Sequence, residues 1–254
     1  MINIKYAMQD TLTMWKRCIL LSIRNIDTVI TSVVLPVLMM LLFVYVFGGA
    51  MYVGDVDYVN YIVPGILILA IGQSASSTAV SVNQDMTKGI IDRFKSMPIA
   101  KSSVLTGRVL TSITHTFVAT FCVILTAFII GFRPDTNFQG WITAIFVMLL
   151  YMTAVSWISI IFGLLANSSE GAGAFMIFVM LFPYLSSGFA PTETMPPALR
   201  TFAENQPLTP IIESVRYSLM HTGNNPYLFT AMMWCLALLA VGYIISMRLY
   251  NTDK

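Results

Sequence analysis

Lys88 to Arg108 reads KGIIDRFKSMPIAKSSVLTGR, and it holds Lys88, Asp92, Arg93, Lys95, Lys101 and Arg108 within one short stretch. Apolar runs flank it, 58–82 before and 104–130 after. A bilayer core needs ~20 mainly apolar residues per helix, and each run meets that length. In a chain of 254 residues that is 57% hydrophobic and only 10% charged, such an island is a structured loop at a membrane surface. There an embedded protein can meet a soluble partner.

Working outward, four more runs approach the spanning length: 28–47, 141–166, 171–189 and 227–247. The expected fold is an all-α polytopic membrane protein with six transmembrane helices, built as one domain over 1–254. No internal repeat or low-complexity linker divides it. An even number of spans puts both termini on one side. Sorted over this layout, Lys5, Lys16, Arg17, Arg24, Lys88, Arg93, Lys95, Lys101, Arg108, Arg248 and Lys254 share the island's side, against Arg133, Arg200 and Arg216 on the other. The positive-inside rule makes the first side cytoplasmic, both termini included. The net charge of +2 sits beside apolar segments, which gives nucleic-acid binding little support.

Residues 5–24 read as an amphipathic helix in the inner leaflet, with Met8, Leu12, Trp15, Ile19 and Ile23 on one face and Lys16, Arg17 and Arg24 largely off it. It serves either as an anchor or as an element that also carries motion into the first span, where Asp27 is the expected N-cap. The following apolar run of ~20 residues exceeds a signal-peptide core, so no cleavage is expected. Between spans five and six, Pro183, Pro191, Pro196, Pro197, Pro207 and Pro210 forbid one continuous helix. Two short helices fit instead: one after Thr194, the other with Thr209 as N-cap and Pro210 first, running through Glu213 and Arg216. They form a broken, re-entrant or interfacial outer cap, with Pro207, Glu213 and Arg216 as its marked residues and Glu213 pairing with Arg216.

Catalytic signatures are missing: there is no HExxH, GxSxG or GxxxxGK[ST], and no catalytic or metal-ligating set assembles. Cys18, Cys122 and Cys235 are far apart and read as small buried hydrophobes. His115 in the third span reads as a packing histidine before a proton relay, and His221 belongs to the outer loop. Gln73, Ser74, Ser77, Thr78 and Ser81 form a polar face on the second span, for close helix packing or for lining a substrate path. Acidic or basic groups deep in the spans, which ion-coupled transport needs, are almost absent, so energy is expected from outside the chain.

KGIIDRFKSMPIAKSSVLTGRVL resembles the loop between the second and third spans of type-2 ABC exporter permeases, especially daunorubicin/doxorubicin resistance permeases, with Gly89, Asp92, Arg93, Pro98, Gly107 and Arg108 in matching order. ENQPLTPIIESVR is similar to that family's Asn-Pro stretch and short helix before the last span, with Gln206 intervening between Asn205 and Pro207. The resemblance implies the permease subunit of an ATP-driven exporter in a bacterial or archaeal plasma membrane, moving an amphipathic or hydrophobic molecule such as a drug, antibiotic or lipid. Implied partners are a second permease chain, same or related, cytosolic ATPase subunits that carry ATP and Mg, and membrane lipids; this chain needs no cofactor of its own. The loop would then be a coupling helix, with Gly89, Asp92, Arg93, Phe94, Lys95 and Pro98 as coupling residues, Phe94 as the anchor in the ATPase groove, and Trp15, Lys16 and Arg17 assisting. The alternatives are a loop that only fixes topology, an ATPase-independent carrier or channel, and a membrane-embedded enzyme.

Overall fold

The computed structural model describes residues 4–23, 26–49, 57–97, 99 and 101–252, and every regular element among them is helical. Helix α1 (Ile4–Ile23) is followed by α2 (Ile26–Leu42), which continues as a π-helical turn over Phe43–Phe47. Next come α3 (Tyr58–Thr87), the short α4 (Ile90–Lys95), α5 (Lys101–Ile130) and α6 (Phe138–Leu165). The chain ends with α7 (Ser169–Gly173), α8 (Phe175–Tyr184), a 3-10 turn at Thr192–Thr194, α9 (Pro197–Asn205), α10 (Leu208–Met220) and α11 (Leu228–Asn251).

Four helices, α3, α5, α6 and α11, are long and apolar enough to cross a membrane; the described apolar stretches Ser32–Phe47 and Ser169–Tyr184 are shorter. The runs expected as continuous spans one and five are the two that differ. In the first, the helix carries Pro36 and loosens into the π turn, the kind of local unwinding that a helix uses to re-pair its carbonyls. The expected run 171–189 instead breaks at Ala174, between the glycine-rich α7 and α8, and stops at Tyr184. Pro183 ends the ladder there: Ser186 Oγ donates to the Pro183 carbonyl at 2.5 Å, and the Gly188 amide donates to Ser186 Oγ at 3.1 Å.

Helix α3 is the centre of the molecule. From Ile62 through Ser76 every residue is buried, so this helix is enclosed on all sides by its neighbours. Small residues let them close in. A Cβ on Gly65 would stand 2.4 Å from the Gly188 carbonyl oxygen, and one on Gly163 of α6 2.6 Å from the Ala79 carbonyl oxygen. Asn83 at the far end of α3 donates Nδ2 to the carbonyls of Ala166 at 2.6 Å and Gly163 at 3.2 Å, thereby pairing the free C-terminal end of α6.

The described part of α2 begins at Ile26, and the side chain of Asp27, the expected N-cap, lies outside the described residues. The start of α10 departs from expectation: Pro207 precedes it, so Thr209 sits within the first turn and donates its hydroxyl to the Ala203 carbonyl. Pro210, third in the helix, has no amide, so one of the donors that a side-chain cap would satisfy is missing. Helix α9, expected with both Pro196 and Pro197 in its first turn, has Pro196 as N-cap and Pro197 first.

Candidate functional site

The charged island folds as a turn, a short helix and the start of α5. Gly89 adopts φ +67°, a left-handed conformation natural to glycine, and this redirects the chain from α3 into α4. One face of α4 is buried, with Ile91 and Phe94 each 5% exposed, while Asp92, Arg93 and Ser96 stay exposed. Phe94, expected as an anchor in a partner's groove, is therefore turned into the chain's own core. It joins Met14, Ile91, Leu105, Trp157 and Tyr250 in one apolar cluster drawn from α1, α4, α5, α6 and α11. Burying one ring among five helices is the larger apolar gain for a lone chain.

Cations close over this cluster. The Arg17 guanidinium lies 5.0 Å from the Phe94 ring centroid, and Lys95 Nζ lies 5.6 Å from that of Tyr250. Trp15 Nε1 donates to Thr114 Oγ1 at 3.1 Å, fastening α1 to α5, while Lys16 is exposed. Among the described side chains of α1, Met14 and Cys18 are buried against the protein, while Met8 and Leu12 of the apolar stripe are exposed, as a face turned to lipid would be, and Ile19 is half-buried. Gly107 decides this register, because a Cβ there would meet the Met14 Cβ at 2.6 Å. Arg108 pairs with Asp85 across the loop, both side chains nearly buried, so the loop's two stems are tied. Pro98 and Arg24 lie outside the described residues.

Replacing Phe94 by Ala should cost about 3–5 kcal/mol of local packing and release α4 from α1 and α11. The expected result is faster hydrogen–deuterium exchange confined to Ile90–Lys95, with the protein still inserted in the membrane. Unchanged exchange there would contradict the packing account.

The polar face of α3 divides into two parts. Gln73 and Ser77 line a cleft of about 320 Å³ with Ser32, Ser81, Gln84 and Met176, bounded by α2, α3 and α7–α8. Ser74 and Thr78 do not line it and are buried in the helix packing. Ser77 donates to the Ser74 carbonyl at 2.7 Å. Gln73 is only 6% exposed, and neither amide atom finds a partner among the described residues. A buried primary amide left unpaired costs about 1–3 kcal/mol, so a partner is wanted there.

On the far side the unwound stretch after α8 is held through its carbonyls. Arg216, 9% exposed, donates Nη2 to the Ser187 carbonyl at 2.6 Å and Nε to the Tyr61 carbonyl at 3.2 Å, pairs with Glu213, and stacks 3.8 Å from the Tyr61 ring centroid. Tyr61 Oη also donates to Ser187 at 2.9 Å, and Tyr58 Oη donates to Phe189 at 3.1 Å. Gln206 Nε2 reaches the Leu185 carbonyl at 2.6 Å, so the residue inserted between Asn205 and Pro207 is put to use. A cavity of about 710 Å³ opens beside this network, walled by Tyr61, Glu193, Glu204, Glu213, Arg216 and Trp234.

The remaining groups are quiet. Cys18 and Cys235 are buried and all three cysteines are free thiols. His115 is half-buried, His221 stacks on Tyr217 at 4.8 Å, and no cluster of metal-binding groups occurs among the described residues.

A buried helical core around α3, a tethered charged loop and a stapled break after α8 lie within the stretch matched by one family model. That model, described as "ABC-2 type transporter", matches residues 9–220. The chain belongs to the ABC-2 type transporter family. It is similar to the "Daunorubicin resistance ABC transporter permease protein DrrB1" of Streptomyces coeruleorubidus, 29% identical over 228 residues, covering 89% of this chain and 80% of that one. It is also similar to the "Probable doxorubicin resistance ABC transporter permease protein DrrC" of Mycobacterium tuberculosis, 25% identical over 231 residues with 87% and 83% covered. A third relative is the "Putative transport permease ycf38" of Cyanophora paradoxa, 24% identical over 242 residues with 93% and 82% covered. The ABC-2 permease is thus a multi-pass membrane protein and a transmembrane subunit of an ABC exporter.

Proposed function

We propose that this permease pairs with a second copy or a close relative of itself, takes an amphipathic or hydrophobic molecule such as a drug, antibiotic or lipid, and is driven by separate ATPase subunits that dock on α4. The observation that carries this reading is the division of α4. Its inner face, Ile91 and Phe94, is fixed to α1, α5 and α11, and its outer face presents Asp92 and Arg93 to solvent. Motion imposed on the exposed charges therefore passes to three helices at once. Phe94 acts as the transmitting contact inside the permease, and the charges set the register with the partner. Two relatives are named for daunorubicin and doxorubicin resistance, which supports an apolar drug-like cargo.

The six-span layout fits if α2 with its π turn, and α7 with α8, cross as bent elements beside the four long helices. In this reading, which the excess of cations on one side supports, the loop, α1 and both termini lie in the cytoplasm of a bacterial or archaeal cell, with α9 and α10 as the outer cap. The Gln73 cleft becomes the translocation path, its free amide awaiting cargo or the second permease. Gln73→Leu tests this by opposing signs. Removing an unpaired buried amide should leave the lone chain as stable or about 1–2 kcal/mol more stable, while export falls roughly tenfold. Thermal unfolding and vesicle transport assays read the two; full export by a stable variant would remove Gln73 from the path.

A further inference from the structure

Helices α5 and α6 leave a surface groove of about 310 Å³ walled by Phe121, Phe128, Trp141, Ile145, Met148 and Leu149. The Thr120 hydroxyl in its wall already donates to the Thr116 carbonyl at 2.9 Å, so the groove offers almost purely apolar contact. Its lining runs along α6 from Trp141 to Met152, eleven residue steps or about 16 Å at ~1.5 Å each. That is close to half of a ~30 Å hydrocarbon core, the depth of one leaflet. Trp141 stands three residues after α6 begins at Phe138, and Met152 lies near the middle of that helix. The groove therefore descends from the membrane surface at the α5–α6 connection to about the midplane.

A cation marks its mouth. Arg133, exposed in that connection, donates Nη1 to the carbonyls of Phe132 at 3.0 Å and Phe128 at 3.2 Å, and the Phe128 ring both lines the groove and stacks on Trp141 at 6.4 Å. Arg200 and Arg216, on the same side by charge sorting, are paired with Glu204 and Glu213. Arg133 makes no ion pair among the described residues, and exposed Asp135 two positions on does not engage it. Its Nη2 and Nε remain open, a fork suited to phosphate.

We propose that this groove with Arg133 is a binding site for one anionic phospholipid of the surrounding bilayer. An acyl chain lies along α5 and α6, and the phosphate sits on Arg133, in the leaflet remote from the Lys88–Arg108 loop. The site depends only on the chain spanning a membrane and stands whether or not the export reading holds.

The test uses the full-length permease in lipid nanodiscs, without ATP or ATPase. Phosphatidylglycerol and phosphatidylcholine analogues carrying a photo-reactive group at the acyl terminus are compared by mapping labelled peptides. Phosphatidylglycerol should label Ile145–Met152 and Phe117–Phe121 about fivefold more than phosphatidylcholine, as expected for ~1 kcal/mol from one arginine. Arg133→Gln should erase the preference, Arg133→Lys should retain most of it, and Leu149→Trp should reduce labelling by both lipids by filling the groove. Equal labelling by the two lipids, indifferent to Arg133→Gln, means annular lipid only and overturns the proposal. Permease–permease adducts in place of lipid labels would make the groove a protein interface and overturn it equally.

Discussion

Arg93→Glu should abolish ATP-driven export while the permease folds and inserts as before. Arg93 is exposed on α4 and makes no ion pair among the described residues, so reversing its charge removes no contact within the chain. Substitutions of that kind usually change stability by less than ~0.5 kcal/mol. At an interface the arithmetic is different. A charge buried against an opposite partner loses about 2–5 kcal/mol when the pair is broken, and reversal adds repulsion. ATPase binding should weaken by roughly 30-fold or more. Titration of the purified ATPase against the permease in detergent checks this, alongside an unchanged thermal midpoint. Wild-type affinity would remove Arg93 from the docking surface. Phe94→Ala gives the contrasting signature, a softened α4 with its exposed charges intact.

Arg216→Ala should be the most destabilising single change in the region after α8. One guanidinium serves the carbonyls of Ser187 and Tyr61, the Glu213 carboxylate and the Tyr61 ring. Its removal leaves a partly buried carboxylate unpaired and frees the stretch that closes the break after α8. Breaking a buried pair in this way costs about 3–5 kcal/mol. The expected result is a fall of several degrees in thermal midpoint and faster exchange at Leu185–Phe189. Arg216→Lys should recover only part, because an ammonium cannot bridge these acceptors as a planar fork does. A midpoint within a degree of wild type would show that the network carries little of the fold. The paired substitution Arg216→Ala with Glu213→Gln removes the stranded charge and should restore part of the loss.

Much of this architecture was legible in the chain because apolar length and charge placement are local signals. Helices α3, α5, α6 and α11 fall within a few residues of the runs 58–82, 104–130, 141–166 and 227–247. The proline cluster foretold the broken region, and the spacing of Glu213 and Arg216 foretold their pair. Legibility ended where a side chain answers to a distant neighbour. The reading of Phe94 as an outward anchor followed from α4 alone, whereas Met14, Trp157 and Tyr250 come from three other helices. The protein-facing side of α1 is hidden for the same reason: Gly107 admits Met14, and nothing near Met14 in sequence announces it. Asp85 gave no local sign of its pairing with Arg108. Gln73 and Ser77 were found on a polar stripe, but helical periodicity could not separate them from the buried Ser74 and Thr78.

One measurement bears most directly on the claim that an ATPase drives this permease through α4. A photo-reactive residue in place of Asp92, with Met8 substituted in the same way as a control, is irradiated in native membranes containing the partner ATPase. The account predicts a covalent adduct between permease and ATPase from position 92 and none from position 8, the adduct changing in yield with bound nucleotide. An export-competent permease that forms no ATPase adduct from position 92 would contradict it.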